Sequence, residues 1–162
     1  MYYKKFHIRW GDLDTNMHLA HSSYQKLTAH VRINLVHDKG FDLIELFKKK
    51  IGSILFYEQI YYFREFLPME TAYVTLEIGG FSENGQFFKF HHNFYKKNGI
   101  HAAHSEVLGS WIDLHERKLI SPPEEVLQMM KGLTRTKNFK ILTKENTRVG
   151  GVKPQDTDFQ FS

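Results

Sequence analysis

The stretch METAYVTLEIGGFSENGQFFKFHHNFYKKNGIHAAHSEVLGSWIDL, residues 69–114, decides the architecture. It is dense in β-branched and aromatic residues and is interrupted twice by Asn-Gly, at Asn84-Gly85 and Asn98-Gly99. Asn-Gly between apolar runs signals a hairpin, because both residues tolerate the left-handed backbone of a tight turn. Three long strands therefore follow one another as an antiparallel meander: 69–82, entered through Pro68, then 87–97 and 101–114. On the middle strand Phe88, Phe90, His92 and Phe94 fall on one side.

Working outward, SILFYEQIYYFREFL (53–67) has the same texture and reads as a fourth strand, longer than is ordinary. Before it, Tyr24, Leu27, Val31 and Leu35 recur at helical spacing. Ser22 or Ser23 is placed to cap that helix, and Gly40 to end it after His37 and Lys39. A short second helix over Asp42–Lys49 has Leu43, Leu46 and Phe47 on one side and is closed by Gly52. Residues 3–10 read as a short strand and GDLDTN (11–16) as a turn. Downstream, SPPEEVLQMMKG (121–132) starts a small helix, with Ser121 and Glu124 as a capping box and Pro122 in its first turn. One long helix and one curved sheet must bury their apolar faces on each other. The expected class is α+β: a long central helix wrapped by a curved antiparallel sheet, with a small C-terminal helix. The domain is expected over 1–133, followed by a polar C-terminal extension over 134–162 in which FKIL (139–142) is an additional element.

Composition agrees with a soluble globular chain. Of 162 residues, 41% are hydrophobic and 25% charged, and 14 Phe with 8 Tyr exclude disorder of the whole chain. No apolar run is long enough for a transmembrane helix, and MYYKKFHIRWGD has no signal-peptide core. There are no cysteines, which excludes disulfides, cysteine-zinc sites and cysteine catalysis. A cytoplasmic protein is expected. The net charge of +4 fits a solvated surface, and also a polyanionic ligand such as a nucleotide-bearing cofactor. No basic-aromatic motif of a nucleic-acid module is present, so no nucleic-acid partner is expected.

The segment RWGDLDTNMHLAHSSY (9–24) carries the chemistry. Asp12, Asp14 and His18 lie directly before the long helix, whose first N–H groups lack internal partners and carry partial positive charge. Such an end suits a carbonyl oxygen that becomes an oxyanion, with a carboxylate at its mouth to attack or to deprotonate water. The same spacing also fits aspartates that merely brace a turn, and by itself it favours that reading.

This segment, with the order of elements, resembles the hotdog-fold acyl-CoA thioesterases of the 4-hydroxybenzoyl-CoA thioesterase type. Their pattern runs D-x-D-x-x-G-H-V-N-N-x-x-Y, then a helix with an Arg near its end. Asp12, Asp14, His18, Tyr24 and Arg32 stand in register with it, and the resemblance covers about residues 3–130. It implies hydrolysis of acyl-CoA or acyl-carrier-protein thioesters, with no metal or organic cofactor and CoA only as part of the substrate. It places the catalytic carboxylate at Asp14, as nucleophile or general base, with His18 orienting Asp14 or the carbonyl. Asp12 braces the loop. The carbonyl is expected on backbone N–H groups about Met17–Leu19, with His21 and Tyr24 also at the substrate. The resemblance further implies a homodimer or dimer of dimers, whose pairing covers the sheet edge and brings Glu58 towards the neighbour's Asp14.

The sequence departs from the pattern at Met17, where the family has Gly, at Ala20 and His21 in place of paired Asn, and at Ala29 and His30 in place of acidic residues. Glycine allows close approach to the backbone, so Met17 is expected to narrow the site. These departures keep open a non-catalytic acyl-binding or CoA-binding protein. A hotdog hydratase or dehydratase fits less well. Its D-x-N-P-x-H spacing is matched by neither aspartate with His18, and the proline is missing. Lys48–Lys50 and Lys96-Lys97 are candidates for phosphate contacts, or simply solvated. No metal site is expected. His91 and His92 face opposite sides of a regular strand, as do His101 and His104, and zinc needs three or four converging ligands.

Overall fold

The computed structural model describes residues 1–157. The chain opens with β1 (Tyr2–His7) and a 3-10 turn at Trp10–Asp12, then α1 (His21–Asp38) and α2 (Leu43–Lys48). Four long strands follow: β2 (Ile51–Tyr62), β3 (Thr71–Phe81), β4 (Phe87–Tyr95) and β5 (His101–Asp113). The two-residue β6 (Leu119–Ile120), α3 (Glu124–Lys131) and β7 (Arg135–Ile141) complete the body.

The strands form one sheet in the order β1-β3-β4-β5-β2, with the expected antiparallel meander at its centre. Both Asn-Gly turns behave as read, with Gly85 and Gly99 at positive φ. α1 lies across the concave face. Its buried side, Tyr24, Leu27, Val31 and Leu35, meets Val74, Leu76, Ile78, Phe90, Phe94 and Val107 in a single core. Phe66 is fully buried at the end of that core, its ring against Tyr24. Among the described residues no helix is long and apolar enough to cross a membrane.

Several boundaries differ from the sequence reading. β1 ends at His7 because Arg9 and Asp12 clamp the chain into the 3-10 turn. α1 starts two or three residues earlier than a Ser22 or Ser23 cap implies, with Ala20 as N-cap. Ala20 N–H is held by Asp12 O at 2.9 Å, and Ser23 Oγ donates to the same carbonyl. The loop, not a serine cap, therefore fixes where the helix begins. Gly52 does not close α2; it lies within β2, where a Cβ would meet the Leu114 side chain at 2.7 Å. α3 has no capping box. Pro122 and Pro123 keep the entry extended, Pro123 becomes the N-cap, and Glu124 falls at the first helical position, too early to reach back.

The stretch after residue 134 is not merely polar chain. β7 pairs in parallel with β3 on the edge that β1 leaves free, and Leu142 and Thr147 are buried. The additional element expected at 139–142 is thus part of a longer strand.

Candidate active site

The loop between the 3-10 turn and α1 is held at both ends. Asp12 accepts the Arg9 guanidinium at 2.9 and 3.0 Å and the Arg9 N–H at 3.0 Å. Those hydrogen bonds hold its carboxyl below the usual carboxylate range. At the other end, Leu19 is buried and its N–H is bonded to Phe66 O at 2.9 Å. Between these anchors Leu13 and Leu19 form a bridge, and Asp14 N–H donates to His18 O at 2.8 Å.

The two carboxylate oxygens of Asp14 have different surroundings. Oδ1 accepts the N–H groups of Asn16 at 2.9 Å and His18 at 3.2 Å. Among the described residues no hydrogen bond reaches Oδ2. The turn-bracing reading of the sequence is thus realised on one oxygen, and the other is left free. Asp14 opens onto a cavity of about 680 Å³, also lined by His18, Leu19, His21 and Tyr24.

The amides expected to receive a carbonyl are not available. Met17 N–H donates to Asp14 O, His18 N–H to Asp14 Oδ1 and Leu19 N–H to Phe66 O. After Leu19, and among the described residues, the next N–H groups without a hydrogen-bond partner are those of His21 and Ser22, in the opening turn of α1. The loop's own closure uses the amides of Met17, His18 and Leu19. Met17 keeps a left-handed backbone, φ 60°, the conformation that glycine adopts without strain. Its side chain is exposed and is not part of the cavity wall, so it does not narrow the site.

The His18 imidazole faces Glu65, with Nε2 3.6 Å from Oε2; it is the backbone N–H of His18 that orients Asp14. Tyr24 is buried against Tyr62, Phe66 and Phe94. Burial, and then the neighbouring Tyr62 phenol and the carboxylates of Asp14 and Glu65, push its hydroxyl up to about 12. It therefore remains a donor at neutral pH. Glu58 does not line this cavity. It lies beneath the middle of α1, 3.3 Å from Thr28 Oγ1 and 3.2 Å from Ser105 Oγ. Close by, Arg32 reaches His92 Nε2 at 3.2 Å, and His92 Nδ1 is 3.0 Å from Thr75 O.

The far wall was not readable from the loop. Tyr62, Phe63, Arg64 and Glu65 come from the end of β2, and Lys96, Asn98 and Ile100 from the β4–β5 hairpin. Only the hairpin signal at Asn98-Gly99 hinted at their place. Lys96 is paired with Glu70 at 2.9 and 3.0 Å and lies over the Phe66 ring, while Lys48 is paired with Glu45 and stands outside the cavity. A separate apolar cavity of about 460 Å³ lies between α1, α2 and β2 and shares no residue with the first.

Away from both cavities' walls near α1, the sheet brings together His91, His104 and Glu106. Alternation along a single strand separates His91 from His92 and does not reveal this grouping. His91 and Glu106 meet across strands, and a register shift at Phe94/Tyr95 puts His101 and His104 within 6.4 Å, ring to ring.

The family model described as the thioesterase-like superfamily matches residues 8–130. No curated protein matches the chain. Among solved structures, a Staphylococcus aureus hypothetical protein in complex with CoA superposes with a TM-score of 0.76 at 18% identity, covering 95% of each chain. A 1,4-dihydroxy-2-naphthoyl-CoA thioesterase from Synechocystis gives 0.74 at 13% identity, over 82% of this chain and 96% of its own. A probable thioesterase from Escherichia coli gives 0.68 at 15% identity, over 83% of this chain and all of its own. At these identities the likeness is one of fold, and the fold is the expected α+β hotdog arrangement.

Proposed function

The chain belongs to the thioesterase-like superfamily, and we propose that it is a thioester hydrolase that cleaves acyl-CoA with Asp14 as the catalytic carboxylate. The observation that carries this reading is the asymmetry of Asp14: Oδ1 is fixed by two amides while Oδ2 stands free at a cavity of about 680 Å³.

In the general-base route, Oδ2 takes a proton from water as the water oxygen bonds to the thioester carbon. The carbonyl oxygen becomes an oxyanion, held by the N–H groups of His21 and Ser22 and by the partial positive charge of the helix start. Collapse breaks the carbon–sulfur bond, and the proton passes to the departing thiolate. The products are a carboxylic acid and CoA thiol. In the nucleophilic route Oδ2 itself bonds to the carbon, expelling the thiolate, and water then opens the resulting anhydride. Tyr24 supplies a hydroxyl donor from the cavity floor. Arg64, together with Lys96 beside its partner Glu70, places positive charge on the far wall, suited to the phosphates that CoA carries beyond its pantetheine arm.

A second copy of the chain completes the reading. Among the described residues β2 pairs only with β5, which leaves its other edge open, and Leu55, Tyr61 and Tyr62 on it are exposed. Edge-to-edge pairing would cover these groups. Sedimentation would return a dimer or tetramer mass.

The decisive experiment is thiol release from a panel of acyl-CoA and acyl-carrier-protein substrates, with Asp14→Asn beside the native chain. Loss of turnover with retained folding supports the assignment. Hydrolysis that survives the substitution, or tight acyl-CoA binding without turnover by the native chain, removes it. A single turnover in heavy-oxygen water separates the routes, since only the nucleophilic one puts label into Asp14.

A further inference from the structure

The convex face of the sheet, turned away from α1, holds a second cluster that hydrolysis does not use. His91 on β4 stands opposite Glu106 on β5, and His104 precedes Glu106 by two residues. All three side chains therefore leave the sheet on one face. Two ring nitrogens converge on a single carboxylate oxygen: His104 Nε2 lies 3.4 Å and His91 Nδ1 3.8 Å from Glu106 Oε1. The three donor atoms are within 4.8 Å of one another.

The hydrogen-bond chain behind His104 fixes which nitrogen carries its hydrogen. Asn93 Nδ2 lies 3.2 Å from Glu77 Oε2, and a carboxylate can only accept, so the amide orientation is set. Asn93 Oδ1 then faces His104 Nδ1 at 2.7 Å, and that nitrogen must be the donor. In a neutral ring Nε2 is left with its lone pair aimed at Glu106. Two lone pairs facing each other repel unless a positive centre lies between them. The relay from Glu77 through Asn93 to the far nitrogen of His104 is also the kind of support that orients a metal-bound imidazole. The second oxygen of Glu106 is held by Lys89, which leaves Oε1 as the one available ligand. The His91 ring rests on Gly79, where any Cβ would collide with it.

From this geometry we propose that His91, His104 and Glu106 bind a late first-row divalent cation such as zinc, at a site separate from Asp14. Two imidazoles and one carboxylate oxygen are an established kind of zinc ligand set, and with bonds of ~2.0–2.2 Å such ligands sit about 3.4 Å apart. The observed separations need only small rotations to reach that. Two of the three ligands, His91 and Glu106, line a cavity of about 410 Å³ together with Lys89, Lys140, Glu145 and Arg148, which gives the ion a route from solvent. The segment that includes β7 and the turns after it walls this cavity, so the site joins the late part of the chain to the sheet.

The test uses the untagged full-length chain, freed of metal with a chelator and titrated with zinc alone by calorimetry. One equivalent binds, and His104→Ala and Glu106→Gln each weaken binding by at least about 10-fold. Asp14→Asn binds as the native chain does. Cobalt in place of zinc gives the intense visible bands of a tetrahedral complex. Circular dichroism checks the fold of each variant, and His91→Asn replaces any that does not fold. Absence of saturable binding overturns the proposal, as does an isotherm unchanged in the ligand variants. So does nuclear magnetic resonance showing His104 as an imidazolium with zinc present, because a proton would then be the occupant.

Discussion

The amino end of α1 and its middle are both polar, in a fold whose interior is mostly apolar, and they differ in whether a carboxylate borders the cavity at Asp14. At the middle, Arg32, His92 and Thr75 O form a closed chain of hydrogen bonds, and Glu58 is met by the hydroxyls of Thr28 and Ser105. His92 is wholly buried and Arg32 largely so. Glu58 and Asp14 each hold one oxygen with two donors and leave the other without a hydrogen bond among the described residues, but Asp14 lines the cavity of about 680 Å³ and Glu58 does not. A carboxylate closed in by packing helps hold the structure together, while one whose free oxygen borders open space is available to a substrate. Asp12 lies between the two cases in position, two residues from Asp14, but belongs with the engaged groups.

The largest effect is expected at the free oxygen. Asp14→Asn keeps an Oδ1 acceptor for Asn16 and His18, so the loop should survive, and kcat/KM should fall by roughly 10²–10⁴. The melting temperature should move little. A large fall in stability instead would mean that the turn-bracing role of Asp14 outweighs its chemistry.

At the middle of α1 the expectation reverses. Arg32→Met leaves His92 Nε2 without a donor and Glu58 without its nearby cation, which should cost about 1–3 kcal/mol by chemical denaturation. Turnover per folded molecule should stay within a few-fold. Arg32→Met combined with His92→Leu should recover part of the loss, because removing both partners leaves nothing buried and unpaired. A double variant no more stable than Arg32→Met alone would show that the closed chain is not what the arginine supports.

Asp12→Ala tests the boundary between the regions. It removes the Arg9 clamp while Asp12 O, which holds Ala20 N–H and Ser23 Oγ, remains. Melting should drop by roughly 2–6 °C. Activity should fall less than with Asp14→Asn, and mainly through KM, as the loop that presents Asp14 loosens. Activity lost as completely as in Asp14→Asn would put Asp12 at the substrate.

What the sequence made legible follows the range of the forces involved. The meander could be read because its Asn-Gly turns and alternating strands are local signals. The buried side of α1 could be read because its period is local too. The misread ends were decided by contacts from elsewhere: Phe66 O and Asp12 O set the start of α1, Leu114 fills the space beside Gly52, and a pair of prolines displaces the cap of α3. The same division runs through the site. Asp14, His18, Leu19, His21 and Tyr24 lie in one segment and came together at one cavity. The free amides at His21 and Ser22 could not be read, since they depend on which N–H groups the loop uses to close. Glu65 and Lys96 reach the cavity from distant strands, and the meeting of His91 with Glu106 and His104 depends on sheet register.

The smallest effect is expected at Met17. It stands where the resembling family has glycine, and its backbone retains glycine's left-handed conformation at φ 60°. A non-glycine residue is strained there by roughly 1–2 kcal/mol, whereas glycine is not but loses more freedom on folding. Met17→Gly should therefore raise stability by a net of only about 0.5 kcal/mol. Because the side chain points to solvent and forms no part of the cavity wall, kcat/KM should change by less than about two-fold. A tenfold change in activity with unchanged stability would mean that this side chain folds over bound substrate, and the amino end of α1 would then have a movable wall as well as a free oxygen.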